Sequence, residues 1–319
     1  MSNITLHGAD WADLCVFNVV GPLGHCFVKR VVARSRPAVH ACVRRSAHQY
    51  HTCLNKEVTV STVTTQGELW GKQVYDWATI QEPPNKPLWE AMLDVAMIGV
   101  GSYMLDVGCG AGGASELAAA RGVKVSGLDA SEGMIAYARQ RVSDGDFRVG
   151  DMERLPYKDE QFDAVFAANS VQFSENPMAT VREFARVCRP QGRIVAGLFG
   201  SPAQVKLGDL FKSVAMLLPV PPAGGGPFVL SAPGKLAGIF QEAGLNVIAT
   251  GEVDCLFGYP DFEALWRGAF SAGPFQAMLR VVDIEMMKSA LKDAAEPFRL
   301  DNGGYLIRPN ILQYVVAVR

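Results

Sequence analysis

From residue 103 to residue 318, short apolar runs alternate with amphipathic stretches, and this alternation predicts a doubly wound α/β sheet. The stretches between the runs predict helices. Ser131 and Ser231 are typical of helix starts, and Gly122 and Gly244 are typical of helix ends. Buried strands are predicted for the apolar runs, at residues 103–107, 123–128, 147–150, 162–167, 193–199, 246–253 and 311–318.

The first predicted strand ends in a glycine-rich turn, residues 108–113. Glycine lets the backbone approach a ligand, and the free N–H groups at the start of the following helix favour a negatively charged group. Gly108, Gly110 and Gly113 match the G-x-G-x-x-G pattern of dinucleotide-binding proteins. With Gly112 in place of the last glycine, the turn matches the G-x-G-x-G pattern of enzymes that bind S-adenosylmethionine (SAM). The turn alone leaves both cofactors open.

Carboxylates at three successive strand ends favour SAM. Asp106 lies two residues before the turn, where it suits an ammonium group better than a pyrophosphate. Asp129 ends the second strand, where a carboxylate accepts hydrogen bonds from ribose hydroxyls. Asp151 ends the third strand, where it is predicted to accept from the adenine amine, while the Met152 thioether packs on the ring. The three positions describe an amino acid, a ribose and a base, whereas NAD explains only Asp129.

From residue 69 to residue 319, the chain resembles a class I SAM-dependent methyltransferase of the small-molecule type, and it is similar to the quinone-biosynthesis branch. The motifs that carry the resemblance are LDVGCGAGG (105–113), GLDAS (127–131), FRVGDME (147–153), FDAVFAANS (162–170) and CRPQGR (188–193). The resemblance implies a Rossmann-like sheet of seven strands with the last strand antiparallel, carrying helical cap insertions. It does not specify the methyl acceptor.

An aromatic segment ahead of the first strand predicts a lid over the cofactor. Trp70, Tyr75 and Trp77 lie on a predicted helix, where a ring face can meet the sulfonium; core packing is the alternative. Tyr75 is the first choice, because its hydroxyl could also reach the methionine carboxylate. The predicted cofactor-binding residues are Tyr75, Asp106, Gly108, Cys109, Gly110, Gly112, Asp129, Ala130, Met134, Asp151, Met152, Asn169 and Ser170.

The acceptor is predicted to be small and apolar or aromatic. Residues 200–233, rich in proline, glycine and aliphatic side chains, and the mostly helical residues 258–300 are the expected cap segments. Four residues that follow the fourth strand are predicted to line the place where SAM meets its acceptor; loop capping is the alternative for the first two. They are Asn169, Ser170, Gln172 and Phe173.

No histidine occurs after residue 51, and no cluster of acids follows the fourth strand. The sequence therefore predicts neither a histidine base nor a metal site, and it favours in-line SN2 transfer through positioning and exclusion of water. Candidates for a catalytic polar group are Tyr75, Asp76, Glu82 and Asn169. Two other functions stay open, a catalytically silent SAM-binding protein and an NAD(P)-dependent oxidoreductase.

The first 60 residues differ in composition from residues 61–319, which form the predicted enzyme domain. All five histidines lie before residue 52, and residues 14–56 contain no acidic side chain. The expected role is a poorly ordered extension outside the enzyme. A zinc site and an organelle transit segment are the alternatives.

Composition limits the remaining choices. With 319 residues, of which 49% are hydrophobic, the chain has enough material for one α/β core and a cap. A formal net charge of −2 argues against a nucleic-acid partner. No apolar run approaches the roughly 20 residues of a membrane span. The cysteines have no regular spacing, and Cys109 in the turn favours a reducing compartment, so that the cytoplasm is the expected location. A homodimer is left open.

Overall fold

This computed structural model describes residues 15–20, 26–31, 62–219 and 226–319. The chain divides into two units, residues 1–59 and 60–319. In the first unit, strands β1 (Cys15–Val20) and β2 (Cys26–Val31) pair antiparallel. The extension, zinc and transit hypotheses for residues 1–60 concern side chains that lie outside the described residues.

A seven-stranded sheet forms the centre of the second unit. Across the sheet, the strands follow the order β5 (Asp146–Val149), β4 (Lys124–Asp129), β3 (Tyr103–Val107), β6 (Phe162–Ala168), β7 (Cys188–Phe199), β11 (Ile311–Val318) and β8 (Asn246–Asp254). Neighbours from β5 to β7 are parallel, and β11 runs antiparallel to both β7 and β8. The predicted Rossmann-like fold with an antiparallel last strand is therefore confirmed.

Helices cover the two faces of this sheet. The helices before and between its strands are α1 (Thr62–Trp70), α2 (Val74–Asp76), α3 (Lys86–Ala96), α4 (Gly113–Ala120), α5 (Glu132–Arg141), α6 (Pro177–Val187), α7 (Leu207–Ala215) and α8 (Lys235–Glu242). Strand side chains alternate between two cores, as the period of two requires. Met104 and Phe166 belong to the core that includes α3, whereas Leu105 and Val165 belong to the core that includes α6 and α8.

A second, two-stranded sheet and three helices form the insertion ahead of β11. They are β9 (Phe257–Tyr259), α9 (Phe262–Ser271), α10 (Gly273–Met278), α11 (Ile284–Ala295) and β10 (Tyr305–Ile307), with β9 and β10 paired antiparallel. Helix α10 contacts α1, and α11 contacts α7. In the described part of the chain, no helix has the length and apolar character needed to cross a membrane.

Two predicted helix features are wrong. The helix expected to begin at Ser231 begins at Lys235, after Gly234 in the left-handed region, and the Ser231 hydroxyl instead donates to the carbonyl of Phe199, 2.7 Å away. The aromatic segment predicted as one helix is broken into α1, α2 and a π-helical turn, Trp77–Gln81. In both cases a local helix pattern is overridden by contacts with the rest of the domain.

Candidate active site

The turn after β3 has a backbone that only glycine adopts without strain. Gly108, Gly110 and Gly112 have φ angles of +71°, +54° and +86°. A Cβ on Gly108 would overlap the side chain of Ser170, which follows β6. On Gly112, a Cβ would lie 3.0 Å from the Cβ of Ala138 on α5. Gly108 therefore allows two strand ends to meet, and Gly112 allows α4 to pack against α5.

A cavity lies over this turn, where the parallel strands end. Of the predicted cofactor-binding residues, those that line it are Asp106, Gly108, Cys109, Gly110, Asp129, Ala130, Met134, Asp151, Met152, Asn169 and Ser170. Their convergence is the expected geometry of a doubly wound sheet, in which ligands bind beyond the carboxyl ends of the strands. Gly112 does not line the cavity; it allows α4 to pack against α5.

The structure places Tyr75 away from this cavity. Its side chain is 65% exposed, whereas Trp70 and Trp77 line the cavity wall with ring centroids 4.8 Å apart. Residues two apart in a helical segment point in different directions, so Tyr75 and Trp77 cannot face the same ligand. Asp76, another candidate base, forms an ion pair with Arg267 and does not line the cavity. Of the aromatic residues in the predicted lid, Trp70 and Trp77 thus line the cavity and Tyr75 does not.

Asp129 joins the glycine turn to the end of β4. One carboxylate oxygen accepts from the N–H of Gly110 at 3.0 Å, and the other accepts from the N–H of Ser131 at 2.9 Å. Burial raises the pKa of Asp129, and these backbone hydrogen bonds oppose that rise. The carboxylate fixes the turn in the shape that faces the cavity.

Asp106 lies at the bottom of the cavity. Its side chain is buried, and the Ser115 hydroxyl donates to it at 2.7 Å. Burial raises the pKa of Asp106 to about 7, an effect that Ser115 opposes and that the nearby Glu82 and Asp129 increase. A cation bound at this place would favour the ionised form.

Glu82, one of the candidate catalytic residues, also lines the cavity and contacts the turn, an arrangement that the sequence did not indicate. Its carboxylate accepts from the N–H of Ala111 at 3.2 Å and pairs with the Arg141 guanidinium of α5 at 2.5 Å. Burial raises the pKa of Glu82, whereas Arg141 and the N–H groups of Ala111 and Gly113 lower it. These contacts are those of a group that positions the turn. The available signal is an acid directly before two prolines.

Three further predicted residues line the cavity: Asp151 and Met152 after β5, and Cys109 in the glycine turn. Asp151 accepts from the N–H of Glu153 at 2.8 Å, and both Asp151 and Met152 line the cavity. Burial raises the pKa of the Cys109 thiol, and the carboxylates of Asp129 and Asp106 raise it further. The thiol therefore stays protonated, so Cys109 offers no thiolate nucleophile.

A second cavity, of about 280 Å³, lies next to the first. Aromatic and aliphatic side chains form most of its wall, among them Phe199, Phe211, Phe228, Phe257, Phe275 and Met278. The two cavities share five lining residues, Trp70, Trp77, Asn85, Asn169 and Phe173. Among the aromatic residues of the cap segment 258–300, Phe275 lines the second cavity, whereas Trp266 and Phe270 pack in the core.

Hydrogen bonds fix the orientation of Asn169 where the cavities meet. The Asn85 amide nitrogen donates to the carbonyls of Gln81 and Glu82, so its oxygen must accept from the Asn169 nitrogen, 3.0 Å away. The Asn169 Oδ1 and the Trp77 Nε1 are both buried without a partner among the described residues. Asn169 also has a φ of +53°, which is strained for a residue other than glycine. Unpaired buried atoms and backbone strain together indicate a ligand site.

Residues 105–196 match a family described as a methyltransferase domain. This part of the chain is therefore similar to methyltransferase domains. Enzymes of this family transfer a methyl group from SAM. The cavity over the glycine turn has matching features, namely a turn whose backbone a ligand can approach and one acid at each of three strand ends.

Curated relatives of this region are named for different acceptors. The malonyl-[acyl-carrier protein] O-methyltransferase of Serratia marcescens is 34% identical over 130 residues, which cover 41% of this chain and 51% of that protein. The 27-O-demethylrifamycin SV methyltransferase of Amycolatopsis mediterranei is 32% identical over 145 residues, 41% and 53% of the two chains. The demethylmenaquinone methyltransferase of Beutenbergia cavernae is 38% identical over 116 residues, 36% and 48%. The chain thus spans about half the length of these relatives.

A solved structure supports the fold over a longer stretch. A chain in the complex between the Haloferax volcanii Trm112 methyltransferase activator and a methyltransferase superposes with a TM-score of 0.51. It is 19% identical, and the alignment covers 78% of this chain and 95% of that one. At this identity the likeness concerns the fold alone.

Proposed function

We propose that the chain transfers a methyl group from SAM to a small, largely apolar or aromatic acceptor. The observation that carries this proposal is the meeting of two unlike cavities. One is lined by the glycine turn and the strand-end acids, and the other by aromatic rings. Enclosed apolar clefts with a few convergent polar groups are typical binding sites for small molecules.

Each part of SAM has a counterpart in the first cavity. The buried Asp106 suits the ammonium group, Asp129 the ribose hydroxyls, and Asp151 with Met152 the adenine. Trp70 and Trp77 line the same cavity, and an aromatic face there would give a sulfonium a cation–π contact. The unpaired Trp77 Nε1 adds a donor at the same wall. When bound, SAM would supply an activated methyl group for in-line transfer to a lone pair of the acceptor, with the electron pair of the C–S bond retained by sulfur.

The residues of this chain act by positioning and by excluding water. At the junction of the cavities, the described polar groups are the neutral amides of Asn85 and Asn169 and the indoles of Trp70 and Trp77. None of these accepts a proton at neutral pH, so they orient the acceptor rather than deprotonate it. Orientation and desolvation can supply roughly 7–11 kcal/mol of the barrier. The best acceptor is therefore one that is already nucleophilic near neutral pH.

Other properties are inferred from composition alone. They are a cytoplasmic location, the absence of a nucleic-acid partner and an enzyme domain of residues 61–319; whether the chain forms a homodimer stays open.

Release of S-adenosylhomocysteine tests the proposal. The full chain is incubated with SAM and a panel of aromatic phenols, enols and amines, and S-adenosylhomocysteine is measured by mass spectrometry. We expect release above the acceptor-free control with at least one compound, and none with the Asp129→Ala variant. Binding of S-adenosylhomocysteine without turnover across the panel would favour the silent SAM-binding protein instead.

A further inference from the structure

One buried amide is left without a partner in the second cavity. Gln172 lies on a short 3₁₀ helix, Val171–Phe173, directly after β6. Its side chain lines the second cavity, and the residue is 4% exposed. Neither its Oε1 nor its Nε2 has a hydrogen-bond partner among the described residues. A buried amide in this state is unfavourable for folding, because both atoms lose water and gain nothing in return.

Other buried glutamines of the domain do not share this state. Gln81 accepts from the Tyr259 hydroxyl at 2.8 Å, and Gln276 donates to the carbonyl of Phe270 at 2.6 Å. The other two buried glutamines thus have hydrogen-bond partners. Gln172 differs from them, because both of its amide atoms are unpaired in the described part of the chain. It also lines the second cavity.

The surroundings of Gln172 indicate the shape and charge of the partner. Pairs of rings form the cavity wall, Phe199 with Phe228 at 5.5 Å and Phe211 with Phe275 at 5.1 Å between centroids. Lys212 is the one charged side chain among the described residues that line this cavity, and it is exposed. Such walls suit a flat, uncharged ring, since edge and face contacts between rings are favourable.

We propose that Gln172 determines acceptor specificity by pairing both halves of its amide with the acceptor. The acceptor is then a flat, uncharged ring compound that carries a hydrogen-bond donor and a hydrogen-bond acceptor side by side on one edge, as in a cyclic lactam or its hydroxy tautomer. The amide is shielded in the structure, so a rotation of the Gln172 side chain brings it to the ligand. This inference rests on the proposed function and assigns the substrate class of the same site.

Calorimetry with matched probes tests the pairing. The full chain, saturated with S-adenosylhomocysteine, is titrated with 2-quinolinone, with N-methyl-2-quinolinone, which lacks the donor, and with naphthalene, which lacks both groups. We expect wild type to bind 2-quinolinone at least about tenfold more tightly than either control, because a site built for hydrogen bonds rejects ligands that leave them unpaired. In the Gln172→Leu variant, this preference is expected to disappear while naphthalene binding is retained.

Thermal unfolding without ligand provides a second, independent measurement. Gln172→Leu removes an unpaired buried amide, so it is expected to raise the Tm. Gln276→Leu removes a paired buried amide, so it is expected to lower the Tm.

Three results would overturn the inference. They are an unchanged preference for 2-quinolinone in Gln172→Leu, equal binding of the three probes to wild type, and a fall in Tm for Gln172→Leu like that of Gln276→Leu. Failure of S-adenosylhomocysteine to bind wild type would count against the proposed function instead, and the Tm comparison would still be informative.

Discussion

The carboxylates of Asp129 and Asp106 each form hydrogen bonds within the fold and also line the ligand site. Asp129 bonds to the backbone of Gly110 and Ser131, and the same side chain lines the cavity. Asp106 is held by Ser115 beneath the turn. An acid that shapes the site before a ligand arrives reduces the ordering cost of binding. The strand-end acids therefore deserve to be tested by stability as well as by activity.

Stability is expected to fall with pH because of Asp106. Its pKa is about 7 in the folded state against a reference of 3.8, so between these values the folded state binds more protons than the unfolded state. The unfolding free energy should therefore decrease as the pH rises from about 4 to 7, by up to about 4 kcal/mol. Asp106→Asn is expected to reduce this slope, and the raised pKa values of Glu82 and Asp129 leave a smaller slope of the same sign. Urea unfolding at pH 5 and pH 8 measures it, and equal slopes for the variant and wild type would refute the assignment.

A comparison of Gly101 and Gly108, which have similar φ angles, distinguishes the cost of backbone strain from the cost of steric overlap. Gly101→Ala, at φ +84° with open space around the Cβ position, is expected to cost about 1–2 kcal/mol. Gly108→Ala, at φ +71°, adds overlap with Ser170, so a further cost of roughly 1–3 kcal/mol is expected, together with loss of S-adenosylhomocysteine binding. Denaturant unfolding and calorimetry of both variants measure this difference. Equal costs would mean that β3 and the loop after β6 do not need close contact.

At the scale of elements, an ion pair joins the segment before α3 to α5. Glu82 is buried and Arg141 is largely buried, so loss of one partner leaves an unpaired charge. Glu82→Gln is expected to cost about 3–5 kcal/mol and to loosen the glycine turn. In the exposed pair of Arg148 with Asp146, the variant Asp146→Asn is expected to cost less than about 1 kcal/mol. A cost for Glu82→Gln as small as that of the exposed pair would show that the carboxylate does not hold the turn.

Local sequence determines the strands better than the helix starts. The runs that include Leu105, Val165 and Val195 are apolar on both faces, and a strand buried between two helical layers is the structure they predict. Ser231 is a residue type that often caps helices, yet its hydroxyl donates a hydrogen bond to the carbonyl of Phe199 instead. Tyr75 carries a hydroxyl suited to a ligand contact, but the break in the helical segment between α1 and the π-helical turn determines which way its side chain points. Tertiary contacts decide such positions, and short windows of sequence do not contain them.

At the scale of the whole molecule, the two halves of the site differ in how far sequence predicts them. The cofactor half is built from strand ends close to one glycine turn, so motif spacing places Asp129 and Asp151 correctly in the cavity. The acceptor half is assembled from distant segments, since Gln81, Phe211 and Phe275 come from different elements of the unit. Only the folded arrangement brings these residues to one cavity, and no spacing rule indicates it.

The central claim is that the cavity over the glycine turn binds SAM, and thermal unfolding of the full chain tests it most directly. S-adenosylhomocysteine and NADH are titrated separately against wild type and Asp129→Ala. At about 100 times its dissociation constant, a ligand adds roughly 2.7 kcal/mol of stability. We predict this gain for wild type with S-adenosylhomocysteine, none with NADH, and none for Asp129→Ala with either ligand. Stabilisation of wild type by NADH but not by S-adenosylhomocysteine would contradict the account and favour a dehydrogenase.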